Sequence, residues 1–196
     1  MAERELTSAD WRGYRQAEFP EGSWVLDDGV LRAVASGPRV DLITRERFRD
    51  FAISFEWRLP RGGNSGLLFR VDEQQPEAWQ SGPEMQLLDD EHHPDGANAL
   101  TSTGAFYGVL AAWEDLRPVA NVYHKARVVV RGTQVEHWID ERKVLGYDLA
   151  SEELRERIAR SKFRDYPGFG RLEEGHIVLQ HHGTEAWFRR LRIETW

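Results

Sequence analysis

A chain of 196 residues is long enough for one well-buried domain, and no break in composition divides it, so residues 1–196 are read as a single domain. With 33 acidic against 26 basic residues the formal net charge is −7, which excludes nucleic acid as a general partner because phosphate binding needs a basic field. Forty per cent hydrophobic residues and eight tryptophans mark a folded chain, while the absence of cysteine excludes disulfides and thiolate metal sites and leaves histidine and carboxylate sites open.

The first ten residues are charged and lack the apolar core of a signal peptide. No run approaches the roughly 18 apolar residues of a membrane span. The expectation is a cytoplasmic protein with no membrane partner; the sequence defines no oligomeric state. Ser23–Leu26 and Val30–Val34 flank an Asp27-Asp28-Gly29 turn, a hairpin signal because glycine accepts the positive φ such turns require. Gly37-Pro38 punctuates the next step and Val40–Thr44 alternates again, so residues 22–44 read as a β-meander. Residues 51–59 put Phe51, Ile53, Phe55, Trp57 and Leu59 on one face, five large apolar groups at period two. Glycines at 62, 63 and 66 surround Asn64 and precede a strand at 67–71; they permit a tight backbone able to present the Asn64 amide to a ligand, or a plain turn between two strands.

After a polar, turn-rich stretch at 72–83 comes Gly82-Pro83-Glu84-Met85-Gln86-Leu87-Leu88-Asp89. In extended chain Glu84, Gln86 and Leu88 point one way and Met85, Leu87 and Asp89 the other, so a carboxylate and an amide look into water or a ligand while the opposite face packs. Residues 90–104 read as an irregular loop and 105–110 as a short strand or turn that carries Tyr107. Residues 125–131 and 134–140 form a hairpin continued by 143–149. The period then changes: Leu154 and Ile158 sit at i, i+4, Ser151 can cap, and Glu152 and Glu153 fall in the first turn, which predicts one short helix near 151–160. Strands return at 175–182, bearing Gln180 and His182, and at 186–195. Many short strands with almost no helix predict an all-β, two-sheet antiparallel sandwich.

The ordered set Gly62–Gly66, Gly82–Asp89 with His93-Pro94-Asp95, Gly104–Gly108, Val135–Trp138, Ser161-Lys162-Phe163, Gly175–Gly183 and Ala186–Ile193 closely resembles the 3-keto-disaccharide hydrolase family over residues 11–196. The resemblance implies a concanavalin A-like (lectin/glucanase) jelly roll with a ligand groove on a concave sheet, and action on glycosides already oxidised at C3, by hydrolysis or a lyase step. Two positions depart from the family pattern. Gln180-His181-His182-Gly183 stands where Gln-Asp-His-Gly is expected, and Asp140-Glu141 where an Asn-Gly turn is expected. By alternation His181 points away from His182.

A ketone at C3 acidifies the C2 hydrogen, so a base at C2 permits β-elimination of the C1 substituent, and water can then add at C1. His182 is the candidate base or proton shuttle, with Glu84 as its orienting partner, or Glu84 is the base and His182 the acid. Asn64, Gln86 and Gln180 suit sugar hydroxyls, Tyr107 could reach the ligand with its hydroxyl, and Arg70 or Lys162 could stabilise the enolate oxygen. His137 is a further binding candidate, equally readable as structural. No cofactor is required; a divalent metal held by Glu84, Asp89, His93, His137 and His182 is possible on ligand type, although no fixed short ligand spacing supports it. The alternative is a non-catalytic carbohydrate-binding jelly roll, because such folds host lectins as readily as enzymes.

Overall fold

The computed structural model describes residues 2–196. Its thirteen strands are β1 Ala2–Glu5, β2 Trp11–Gly13, β3 Trp24–Asp27, β4 Val30–Ala33, β5 Leu42–Thr44, β6 Phe51–Arg58, β7 Asn64–Val71, β8 Glu84–Leu88, β9 His124–Arg131, β10 Gln134–Ile139, β11 Arg142–Asp148, β12 His176–Leu179 and β13 Trp187–Thr195, with one α-helix, α1, at Glu152–Ala159. They form two antiparallel sheets. The larger runs β11-β10-β9-β6-β13-β4-β3, with β1 beside the C-terminal half of β13, and the smaller runs β2-β5-β12-β7-β8. This is the two-sheet antiparallel sandwich that the strand pattern predicts and the jelly roll that the family resemblance implies. Among the described residues no helix is long and apolar enough to cross a membrane.

Alternation builds the core. Phe51, Ile53, Phe55 and Trp57 of β6 meet Leu67 and Phe69 of β7, Met85 and Leu87 of β8, and Ile177 and Leu179 of β12, all 3% exposed or less. The other phase of the same three small-sheet strands faces outward. There Leu68 and Val178 join Ile43 of β5 in a second apolar cluster against Trp79 and Tyr14, and Glu84, Gln86 and Asn64 lie beyond it.

The opening segment is not one continuous meander. β3 and β4 pair across a turn with Asp28 at φ 44° and Gly29 at φ 73°, but β5 crosses to the other sheet, where it joins β2 and β12. The Trp24 indole, donating to the Val40 carbonyl at 2.7 Å, ties the crossing down.

Two irregular segments roof the outer face. In α1 the Ser151 hydroxyl accepts from the Leu154 amide at 3.2 Å, and Leu154 and Ile158 are buried. A 3₁₀ turn, Lys162–Asp165, follows; Phe163 buries itself in parallel on Phe169 at 3.9 Å between ring centroids, which fixes where Lys162 emerges. In the loop after β8, the Asp90 carboxylate accepts from the Thr103 amide at 2.9 Å, and the His93 ring caps a 3₁₀ turn by accepting from the Asp95 amide at 3.1 Å.

Candidate active site

The outer face of the smaller sheet holds a cleft of about 430 Å³. Its floor is Asn64 from β7, Glu84 and Gln86 from β8, and Gln180 and His182 at the end of β12. Because β7 lies between β12 and β8, the two polar strands meet across it. Gly66 at the middle of β7 makes room: a Cβ there would overlap the Glu84 carboxyl. Trp79, Tyr107 and Lys162 form one wall, and Arg39 and Asp41 lie on the cleft lining with His181.

Glu84 is only 6% exposed. Burial pushes its carboxyl up to about 8, against the pull of the Lys162 ammonium and with help from Asp41 and Asp95. Lys162 is in turn held below its ordinary value by burial, opposed by Glu84 and Asp95. Its Nζ lies 4.2 Å from the ring centroid of Tyr107, 5.0 Å from Phe163 and 5.4 Å from Trp79, a cation held on aromatic faces. The Tyr107 hydroxyl donates to Asp95 at 3.2 Å, and burial with the Asp95 charge raises its pKa to about 12. Asp41 accepts from the His181 amide at 2.7 Å, yet burial, with Glu77 adding to it, takes its carboxyl to about 7.

His182 stands at the cleft mouth, an exposed residue. Its imidazole is lowered by partial burial, then by the neighbouring His93 and Arg39; the His93 ring meets it edge-on at 6.4 Å. At neutral pH the cleft therefore holds a neutral imidazole and a protonated glutamic acid. No hydrogen bond joins the two, so Glu84 does not orient the His182 ring; each faces the shared space separately.

The structure gathers Asn64, Glu84, Gln86, Tyr107, Lys162, Gln180 and His182 on one cleft. Gln86 donates to the Thr101 carbonyl at 3.1 Å and leaves its buried Oε1 unpartnered. Arg70 and His137 lie elsewhere. Between β7 and β12 the register slips by one residue, with His176 opposite Val71 but Val178 opposite Leu68, and Arg70 takes φ 48° in that bulge. Its guanidinium turns away, donating to the carbonyls of Arg49 and Gly132, both at 2.8 Å. His137 is fully buried between the sheet and the Gly104 loop; one ring nitrogen bonds the Gly104 carbonyl at 2.9 Å and the other the Tyr147 hydroxyl at 3.1 Å. Burial lowers its pKa to about 4. His181 likewise turns inward, with its ring edge on Trp24 and Nε2 on the Val34 carbonyl at 3.2 Å.

The candidate metal ligands do not converge. Both nitrogens of His137 are engaged by protein, and Asp89 accepts from the Gly62 amide at 2.6 Å and pairs with His92 at 2.9 Å. Among the described residues no group of three or more carboxylates and histidines is arranged around a common point. This donor set does not fit a metal ion.

Four lining residues escaped the sequence reading: Arg39, Asp41, Glu77 and Trp79. Alternation through Val40–Thr44 puts Asp41 on the same face as Ile43, a usable signal. Trp79 sits in a stretch that reads only as polar turn.

A family model described as a 3-keto-alpha-glucoside-1,2-lyase-like domain matches residues 5–194. A 3-keto-disaccharide hydrolase of Bacteroides thetaiotaomicron is 28% identical over 214 residues, covering 94% of this chain and 73% of its own length. Among solved structures, a Parabacteroides distasonis protein provisionally described as a glycosyl hydrolase superposes with a TM-score of 0.87 at 23% identity, over 95% of this chain and 89% of that one. A carbohydrate-binding module of Bacillus subtilis superposes with a TM-score of 0.60 at 14% identity, over 95% and 96%. The two structural likenesses show the fold alone.

Proposed function

This chain belongs to the 3-keto-alpha-glucoside-1,2-lyase-like domain family, and from that premise we propose that it cleaves 3-keto-glycosides, such as 3-keto-glucosides or 3-keto-disaccharides, by C2 proton abstraction and β-elimination followed by hydration. The reading is carried by Glu84, buried and with its carboxyl raised by that burial, and His182, with its imidazole lowered by partial burial, lining one cleft of about 430 Å³.

His182 takes the proton from C2. The C2–H electron pair forms the C2–C3 double bond while the C3 carbonyl becomes an enolate. The carbonyl then re-forms, the new double bond shifts to C1–C2, and the C1–O bond breaks as Glu84 gives its proton to the leaving oxygen. Water adds to C1, its proton returning to Glu84, and the imidazolium returns a proton to C2. The net change is hydrolysis, and if the unsaturated ketone leaves before water adds it is a lyase reaction. Lys162, beside Glu84, holds the positive field in which the carboxyl can lose its proton at each turnover.

The test is aglycone release from a 3-keto-glucoside and from its unoxidised parent. Release from the keto substrate alone, abolished in Glu84→Ala and His182→Ala, is the expected result. Saturable sugar binding with no release from either substrate replaces the enzyme by a carbohydrate-binding module.

A further inference from the structure

Two cations line the cleft, Lys162 and Arg39, and among the described residues neither forms an ion pair or donates a hydrogen bond to a protein group. Lys162 rests on aromatic rings beside Glu84. Arg39 is exposed, and its backbone is tied to the strand end that carries His182. The Trp24 indole holds the Val40 carbonyl at 2.7 Å, Asp41 accepts from the His181 amide at 2.7 Å, and the Gly183 amide donates to His181 Nδ1 at 3.1 Å. The Arg39 side chain then lies on Gly183, at φ 89°: a Cβ there would stand 2.5 Å from Nε and 2.7 Å from both Cζ and Nη2. Near-equal distances to three atoms of one plane put the guanidinium face-on to the backbone next to His182. Packing rather than a carboxylate holds it, so its N–H edges are left without a protein acceptor.

Resting on the elimination reading above, we propose that Arg39 is the hydrogen-bond donor to the C3 oxygen as it becomes an enolate. Strand order carries the assignment. Across the smaller sheet β8 is followed by β7, β12 and β5, so Glu84 on β8, His182 just after β12 and Arg39 just before β5 succeed one another in that order. Around the sugar ring the leaving oxygen on C1, the proton on C2 and the oxygen on C3 do the same. With Glu84 at the first and His182 at the second, Arg39 is the group left for the third, whereas Lys162 packs beside Glu84 at the other end. When His182 takes the C2 proton, the C2–H electron pair forms the C2–C3 double bond and the carbonyl π pair passes to the C3 oxygen. Arg39 donates hydrogen bonds to that oxygen and transfers no proton. It is a catalytic residue in this scheme.

The enolate step can be read apart from cleavage on 1,5-anhydro-3-keto-glucitol, a ring with the ketone and the C2 proton but no leaving group on C1. In D₂O the exposed His182 exchanges the proton it takes, and loss of the C2–H signal by NMR follows enolisation. Wild type is expected to exchange C2–H, and Arg39→Ala to do so on the order of 100-fold more slowly at saturating substrate, with aglycone release from a 3-keto-glucoside reduced alongside. Arg39→Met, which keeps the packing on Gly183 without a donor, is expected to fall as far; the position is exposed, so both variants should match wild type by circular dichroism. Exchange at the wild-type rate in Arg39→Met reduces the side chain to packing and overturns the proposal. So does a rise in KM with kcat unchanged in Arg39→Ala, which makes Arg39 a binding residue only. If wild type neither exchanges C2–H nor releases aglycone, the elimination reading falls and takes the role of Arg39 with it; wild-type exchange that Arg39→Ala leaves intact removes Arg39 alone.

Discussion

Replacing Glu84 by Gln should uncouple stability from pH as it removes the acid. The native carboxyl titrates at about 8 against an ordinary 4.5, a difference worth about 5 kcal/mol. Between those two values the folded protein keeps a proton that the unfolded chain has released, so stability is full below pH 4.5 and declines as pH rises through 8. Above pH 8 the wild type carries an ionised carboxylate that the glutamine variant lacks. Local relaxation around the ionised group recovers part of the cost, so the variant is expected to be more stable than wild type by about 2–5 kcal/mol at pH 9 and to lie near it at pH 5. Urea unfolding followed by tryptophan fluorescence at pH 5, 7 and 9 reads this directly, and other titrating groups cancel in the difference between the two proteins. Wild-type and variant curves running parallel from pH 5 to 9 would show that Glu84 is not held protonated, and the assignment of the acid would fail with it. Cleavage of a keto substrate should fall by roughly 10²- to 10⁴-fold in the same variant.

Gly66→Ala drives a methyl into the Glu84 carboxyl from a backbone that tolerates alanine, so kcat is expected to fall at least about 10-fold with the fold intact by circular dichroism. His137→Ala removes a buried ring bonded at both nitrogens, with a loss of about 2–4 kcal/mol in urea unfolding and little change in kcat of the folded fraction. Because the folded His137 titrates near 4 against an ordinary 6.5, its contribution is present above pH 6.5 and lost as pH falls through 4, so the variant's deficit should shrink in acid. Glu141→Gly relieves a residue at φ 67°, while the exposed Lys125–Glu141 pair it breaks is worth little; a gain of about 1 kcal/mol in unfolding free energy is expected. Asp41→Asn keeps an acceptor for the His181 amide and is expected to retain keto-glycoside cleavage within about 10-fold of wild type.

The sequence makes legible whatever depends on one strand at a time. Period-two alternation in β6 and β8 put Phe51, Ile53, Phe55, Met85 and Leu87 inward and Glu84 and Gln86 outward, as observed. The same rule, applied to Val135, His137 and Ile139, puts His137 with two core residues, which is where it lies. Arg70 shows where counting stops: a single bulge residue reverses the phase, and its positive φ is written in no local pattern. Strand order is non-local. Nothing within 176–182 says that β12 lies beside β7, so the meeting of His182 and Asn64 on one cleft was open until the pairing was known. Lys162 belongs to neither sheet; its place follows from Phe163 stacking on Phe169.

Asp41 and Glu77 join Glu84 among the carboxyls that line the cleft, and a pair of carboxyls is what an ordinary glycosidase uses. Such an enzyme needs their environments to push the pair apart, one group raised to serve as acid and the other kept ionised to face a developing cation. Here burial moves Glu84 and Asp41 the same way, to about 8 and about 7, so that pair is not driven apart. The groups that are driven apart are Glu84, raised, and His182, lowered. That combination sets a neutral acid, Glu84, and a neutral base, His182, on one cleft with the Lys162 ammonium, which suits a reaction that passes through an anion. On the reading proposed above, the cleft abstracts an acidified C2 proton rather than attacking an unactivated glycosidic carbon, and the unoxidised parent glycoside is the substrate on which the two chemistries diverge.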